Sequence, residues 1–113
     1  MREEMDKEFF VPLPEDTSLR VRINIDRGAV TRFVVQLEYN SGDDTWLPVV
    51  RYDSAHDRPH RDILDPHGET VTKEWLDELL DHAVSMAEGL NYGQDDLKRN
   101  WRTYRDTFLE MMR

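Results

Sequence analysis

Cysteine is absent from this 113-residue chain. That removes disulfides, thiolate nucleophiles and cysteine-ligated zinc from consideration. Long apolar runs are absent as well: none approaches the length of a membrane span, so no membrane partner is expected. The opening stretch Met1-Arg2-Glu3-Glu4-Met5-Asp6-Lys7-Glu8 holds no apolar signal core, and the expected location is the cytoplasm. Positive charge is in short supply, with 15 Lys and Arg against 24 Asp and Glu, a net charge of -9. A general nucleic-acid coat or an anionic-membrane binder attracts through excess positive charge, so both classes are disfavoured, whereas a local basic groove is still compatible. Large apolar side chains are not lacking. Three Trp, four Tyr and four Phe give the chain the core-forming residues that disordered segments lack. A chain of this length makes one domain, 1–113, with one core.

The first half has the period of strands. Leu19, Val21, Ile23 and Ile25 alternate with Arg20, Arg22 and Asn24, which makes one face apolar and the other polar. Asp26-Arg27-Gly28 is a turn, and Val30 to Tyr39 a second alternating run. Asn40-Ser41-Gly42-Asp43-Asp44 leads to a third strand over Thr45 to Tyr52, where Pro48 demands an edge or a bulge. Ile63 and Leu64 anchor a short fourth strand before the turn Asp65-Pro66-His67-Gly68. The N-terminal segment 1–17 is an arm or an edge strand, and 18–71 holds the sheet and a His-rich loop. The sheet face with Arg20, Arg22, Arg32, Gln36, Glu38 and Arg51 is wet or covered by a partner.

The second half, 72–113, has the period of helices. Thr72 is the expected N-cap of a helix whose apolar stripe runs from Trp75 to Leu90 and stops at Asn91-Tyr92-Gly93. Asp95-Asp96 opens a second helix with an aromatic stripe, Trp101, Tyr104 and Phe108, that serves as core or as the seam of a homodimer. Lys98, Arg99, Arg102 and Arg105 lie on its polar side, either as a solvated face or as phosphate contacts. The expected fold is therefore α+β: a small antiparallel meander of three to four strands, covered on one face by two C-terminal helices.

One segment concentrates chemistry. Arg51-Tyr52-Asp53-Ser54-Ala55-His56-Asp57-Arg58-Pro59-His60-Arg61-Asp62 packs two His, three Arg and three Asp directly behind a strand. Three uses fit it. In the first, His56 and His60 exchange protons with RNA, Asp53 orients an imidazole, and Arg58 and Arg61, with Arg51 and Tyr52, hold the phosphate. No cofactor or metal is needed for that chemistry. In the second, His56 and His60 bind a divalent ion with Asp53 or Asp62. In the third, the loop simply binds a partner protein or a phosphate. A solvated loop is the plain alternative to all three, since its Asp residues cap turns and exposed Arg–Asp pairs contribute only ~0–1 kcal/mol.

Tyr52, Asp53, Ser54 and His60, at the end of paired strands and ahead of a helix, give the span from Val30 to His82 a likeness to a known group. It resembles the TumE-like small toxins of toxin–antitoxin modules, in which a Tyr-Asp-Asn type strand end is followed by a His-containing segment. The resemblance implies a short α+β toxin with an antitoxin partner. This chain has His60-Arg61-Asp62 where that family shows His-x-His, and it adds His56 and a long final helix. The reading that follows is a cytoplasmic, toxin-like, metal-independent ribonuclease. The other reading is a non-enzymatic interaction module, dimeric through its C-terminal helix.

Overall fold

The computed structural model describes residues 4–113, so Met1 to Glu3 of the N-terminal segment lie outside it. Six strands form one sheet: β1 Glu4–Leu13, β2 Thr17–Asp26, β3 Ala29–Asn40, β4 Trp46–Asp53, β5 His60–Leu64 and β6 Thr70–Trp75. They lie side by side in chain order, each antiparallel to the next. A short helix, α1 Leu76–Leu80, and a long one, α2 Met86–Met111, complete the chain.

This corrects the expected architecture. The sheet has six strands rather than three or four, and one long helix covers it rather than two. Segment 1–17, expected as an arm or an edge strand, holds β1; nearly all of that strand's side chains are exposed, and what makes it a strand is its ladder to β2, from Glu4↔Asp26 to Leu13↔Thr17. β6 is likewise exposed along most of its length. Its Thr-Val-Thr start favours extended backbone, and Thr72 pairs with Ile63 instead of capping a helix.

The helical stripe that begins at Trp75 is cut elsewhere than expected. Asp81 takes a left-handed conformation (φ 58°, ψ 38°) and ends α1. Ser85 then caps α2, its Oγ accepting from the Glu88 backbone N–H at 3.1 Å. Ser85-Met86-Ala87-Glu88 has the spacing of a capping box, the local cue that marks the true helix start. Gly93 sits inside α2 and terminates nothing.

The paired registers sort side chains into two faces. On one, the row Val21–Val35–Tyr52 lies beside the row Leu19–Leu37–Val50. These residues are fully buried, and Leu90, Leu97, Trp101 and Phe108 of α2 close over them. The aromatic stripe of α2 is thus core, with Trp101 and Phe108 committed to it. The other face is polar. Its registers read Arg22–Val34–Asp53–His60–Trp75 and Arg20–Gln36–Arg51–Asp62–Lys73. Since Cα partners in an antiparallel pair share a face, the chemistry-bearing residues of β4 and β5 are divided by parity.

Candidate functional site

Even-numbered residues of β5 face the polar side and Arg61 faces the helix, because successive strand residues alternate. Arg61 accordingly joins a node under α2. Its Nη1 donates to the hydroxyls of Tyr52 and Tyr104, both at 3.0 Å, and lies 3.3 Å from Asp96 Oδ2, while Nη2 reaches Glu74 at 2.8 Å. Both phenols also donate to Asp96 Oδ2, Tyr52 at 2.6 Å and Tyr104 at 2.5 Å. Burial and then the Asp96 hydrogen bond push both tyrosines well above their usual range. Burial works to raise Asp96 too, but the hydrogen bonds from Tyr104, Tyr52 and Asn100, together with Arg61, outweigh it and hold the carboxyl low. The node ties β4, β5 and β6 to α2, and every charge in it has a partner.

Arg58 is engaged as well. It donates to both Asp77 carboxylate oxygens, at 2.9 and 2.8 Å, and stacks over the Trp75 ring at 4.3 Å. The Asp77 hydrogen bond raises Arg58 and lowers Asp77 from their ordinary values. Arg51 donates to Gln36, which donates to the buried Glu38. On α2, Arg102 and Arg105 both pair with Glu15, and Arg105 with Asp106.

Asp53 and His60 do meet. They are register partners across β4 and β5, and His60 Nε2 lies 3.1 Å from Asp53 Oδ1 and 3.4 Å from Asp62 Oδ2. His60 is buried to 1% exposure, and its Nδ1 is 3.0 Å from the Arg58 carbonyl. A carbonyl only accepts, so Nδ1 carries the proton of that bond and Nε2 faces the carboxylates. The Trp75 ring packs edge-on against the imidazole, 5.2 Å between centroids.

Asp53 also borders solvent. With Arg22, Asn24, Arg32, Ser54 and His56 it lines an open concavity of about 600 Å3. Ser54 pins this end of the sheet, its Oγ accepting from the Phe33 N–H at 3.0 Å. Asp53 Oδ1 accepts from the Ala55 N–H at 2.8 Å, starting a 3-10 turn over Ala55–Asp57 in which His56 and Asp57 are both left-handed (φ 64° and 58°). The turn leaves His56 exposed on the concavity and outside the Asp53–His60–Asp62 cluster. Arg22 and Arg32 form no ion pair with any described residue.

The structure thus gathers Asp53, His56 and His60 around one corner of the polar face, with Arg51 in the adjoining row. It puts Tyr52 and Arg61 on the opposite face and Arg58 beyond the sheet edge against α1. Arg22, Asn24 and Arg32 enter the site unforeseen. Period-two alternation places them on the polar face, but only the β3–β4 register brings them to Asp53. No helix among the described residues is long and apolar enough to cross a membrane.

No curated protein and no solved structure matches this chain. The family model described as a domain of unknown function, DUF7718, matches residues 2–113, and the chain belongs to that family.

Proposed function

We propose that this domain acts on RNA in the concavity beside Asp53. The observation that carries the reading is the pairing of two guanidinium groups without carboxylate partners among the described residues, Arg22 and Arg32, with two proton-transfer groups, Asp53 and His56, on one pocket. Guanidinium matches phosphate oxygens and stabilises the charge that develops on them. The pocket volume lies in the range that takes a nucleotide-sized ligand.

In this reading Asp53 takes the 2′-hydroxyl proton as the 2′-oxygen bonds to phosphorus. His56 gives a proton to the 5′-oxygen as the P–O5′ bond breaks. Arg22 and Arg32 hold the phosphate, and His60, too buried to touch substrate, positions Asp53. The steps call for no cofactor. A toxin-like role, an antitoxin partner and a cytoplasmic location belong to the same proposal, supported by the TumE-like pattern of Tyr52, Asp53 and His60.

The second reading, a non-enzymatic interaction module, is favoured by β1. Among the described residues its outer edge is open to strand addition, and its own Phe10 is 56% exposed.

Induced expression in a bacterial host separates the two. The wild type is compared with His56→Ala and Asp53→Asn at equal accumulation of folded protein. Growth arrest with RNA loss in the wild type alone is expected. Normal growth and intact RNA with a folded wild type would overturn the RNA reading.

A further inference from the structure

The geometry points to a divalent-cation site of the zinc class formed by Asp53, His60 and Asp62 on the polar face of the sheet. This goes beyond the proposed function and does not rest on it: with a cation bound Asp53 is a ligand, and the proton-accepting role given to it above belongs to the cation-free protein.

Spacing is the first argument. One ligand atom from each of the three residues falls within 4.8 Å of the others. At ligand distances of about 2.0–2.2 Å, two N/O ligands on one tetrahedral zinc stand roughly 3.3–3.6 Å apart. His60 Nε2 stands 3.1 Å from Asp53 Oδ1 and 3.4 Å from Asp62 Oδ2, so both pairs that include the imidazole are close to that span.

The second argument is the tautomer. Metal-ligating histidines donate the other ring N–H to a carbonyl or carboxylate, which fixes the ring. His60 does so through Nδ1 to the Arg58 carbonyl at 3.0 Å, leaving Nε2 as the ring atom between the two carboxylates.

The third argument is independent of both. Asp62 is only 6% exposed; its Oδ2 faces His60, while its Oδ1 is buried with no hydrogen-bond partner, so a cation that satisfies this carboxylate takes both of its oxygens. A buried carboxylate oxygen without a partner carries a desolvation cost that a bound cation removes. The Lys73 ammonium lies 3.9 Å from Oδ1, outside hydrogen-bond range and on a side chain 42% exposed. Lys73 is thus a competitor for Asp62 rather than its satisfied partner. The neighbouring Arg51 is turned to Gln36. Two carboxylates and one imidazole supply three protein ligands, the number that leaves a position open for water. The accessible end of the cluster is Asp53, at the concavity.

The test titrates the purified, metal-stripped 113-residue chain with zinc chloride, reading stoichiometry and affinity by calorimetry and bound metal by elemental analysis. One zinc per chain is expected. Asp62→Asn and Asp53→Asn should each weaken binding at least tenfold while the circular dichroism spectrum is unchanged, and Lys73→Ala should leave binding equal or tighter. If Asp62→Asn does not fold, the more accessible Asp53→Asn carries the test. Absence of binding overturns the site. So does zinc whose affinity ignores both Asp variants, which would place it on the exposed His56, His67 or His82. Loss of RNA activity has no bearing on this result, so the two proposals fail separately.

Discussion

Gly93 lies directly against the Tyr52 ring. A Cβ at position 93 would stand 2.8 Å from Tyr52 Cγ and 3.0 Å from its Cβ. These are not the mobile end of a side chain, and Tyr52 is fully buried with its hydroxyl fixed on Asp96. Gly93→Ala gains up to about 1 kcal/mol of helix propensity but forces α2 and β4 apart, which costs about 1–3 kcal/mol. Net destabilisation of about 1 kcal/mol is expected, read as a lower urea midpoint. An equal or higher midpoint would show that α2 does not sit this close.

The Asp96 node makes stability depend on pH at both ends. Asp96 is held below its ordinary value when folded, so its contribution is complete above the unfolded-state value and is lost as pH falls below about 4. Tyr52 and Tyr104 are raised when folded, so their contribution is complete below about pH 10 and is lost as pH climbs beyond it. Urea midpoints across pH should fall at both extremes. Asp96→Asn should flatten the acid limb, and Tyr104→Phe the alkaline one.

Removing the α2 cap should be felt at the helix start. Ser85→Ala is expected to cost about 1 kcal/mol, and Ser85→Gly only a few tenths. Hydrogen exchange should quicken at Glu88 and Gly89 and stay unchanged beyond the second turn. Uniform destabilisation without local fraying would contradict the cap.

Arg58 and the Arg22–Arg32 pair should separate by readout. Arg58→Ala breaks a solvent-screened ion pair with Asp77 and a stacked contact to Trp75, so a small loss of stability is expected, read as a slightly lower urea midpoint. RNA affinity should be unaffected by it. Loss of RNA binding in folded Arg58→Ala would return the loop arginines to the site.

Much of the sheet is visible in the chain itself. Leu19, Val21, Val35 and Leu37 alternate with polar neighbours because one face is buried, and that face is where they lie. Turns such as Asp65-Pro66-His67-Gly68 are written in residues that hydrogen-bond their own backbone, as Asp65 does to His67 and Glu69. β1 and β6 carry a weaker pattern, because an edge strand leaves most of its side chains exposed; at the end of β1, Val11 and Leu13 still pack against the core. Gly93 reads as a stop unless Tyr52 is known to lie against it. The site was half legible. Asp53 and His60 stand out by residue type, yet their meeting depends on the β4–β5 register. Treating residues 60–62 as loop also concealed the alternation that sends Arg61 away from His60.

The most direct test of the RNA reading is binding and cleavage of a short single-stranded RNA by the purified protein over a salt series. Wild type is compared with an Arg22→Ala/Arg32→Ala double variant of equal thermal stability. Cleavage and a salt-dependent affinity are expected in the wild type. In the variant both should fall, with the log–log salt slope shallower by about 0.7 for each phosphate that is no longer neutralised. Binding and cleavage that are absent from the wild type, or indifferent to both arginines, would contradict the account.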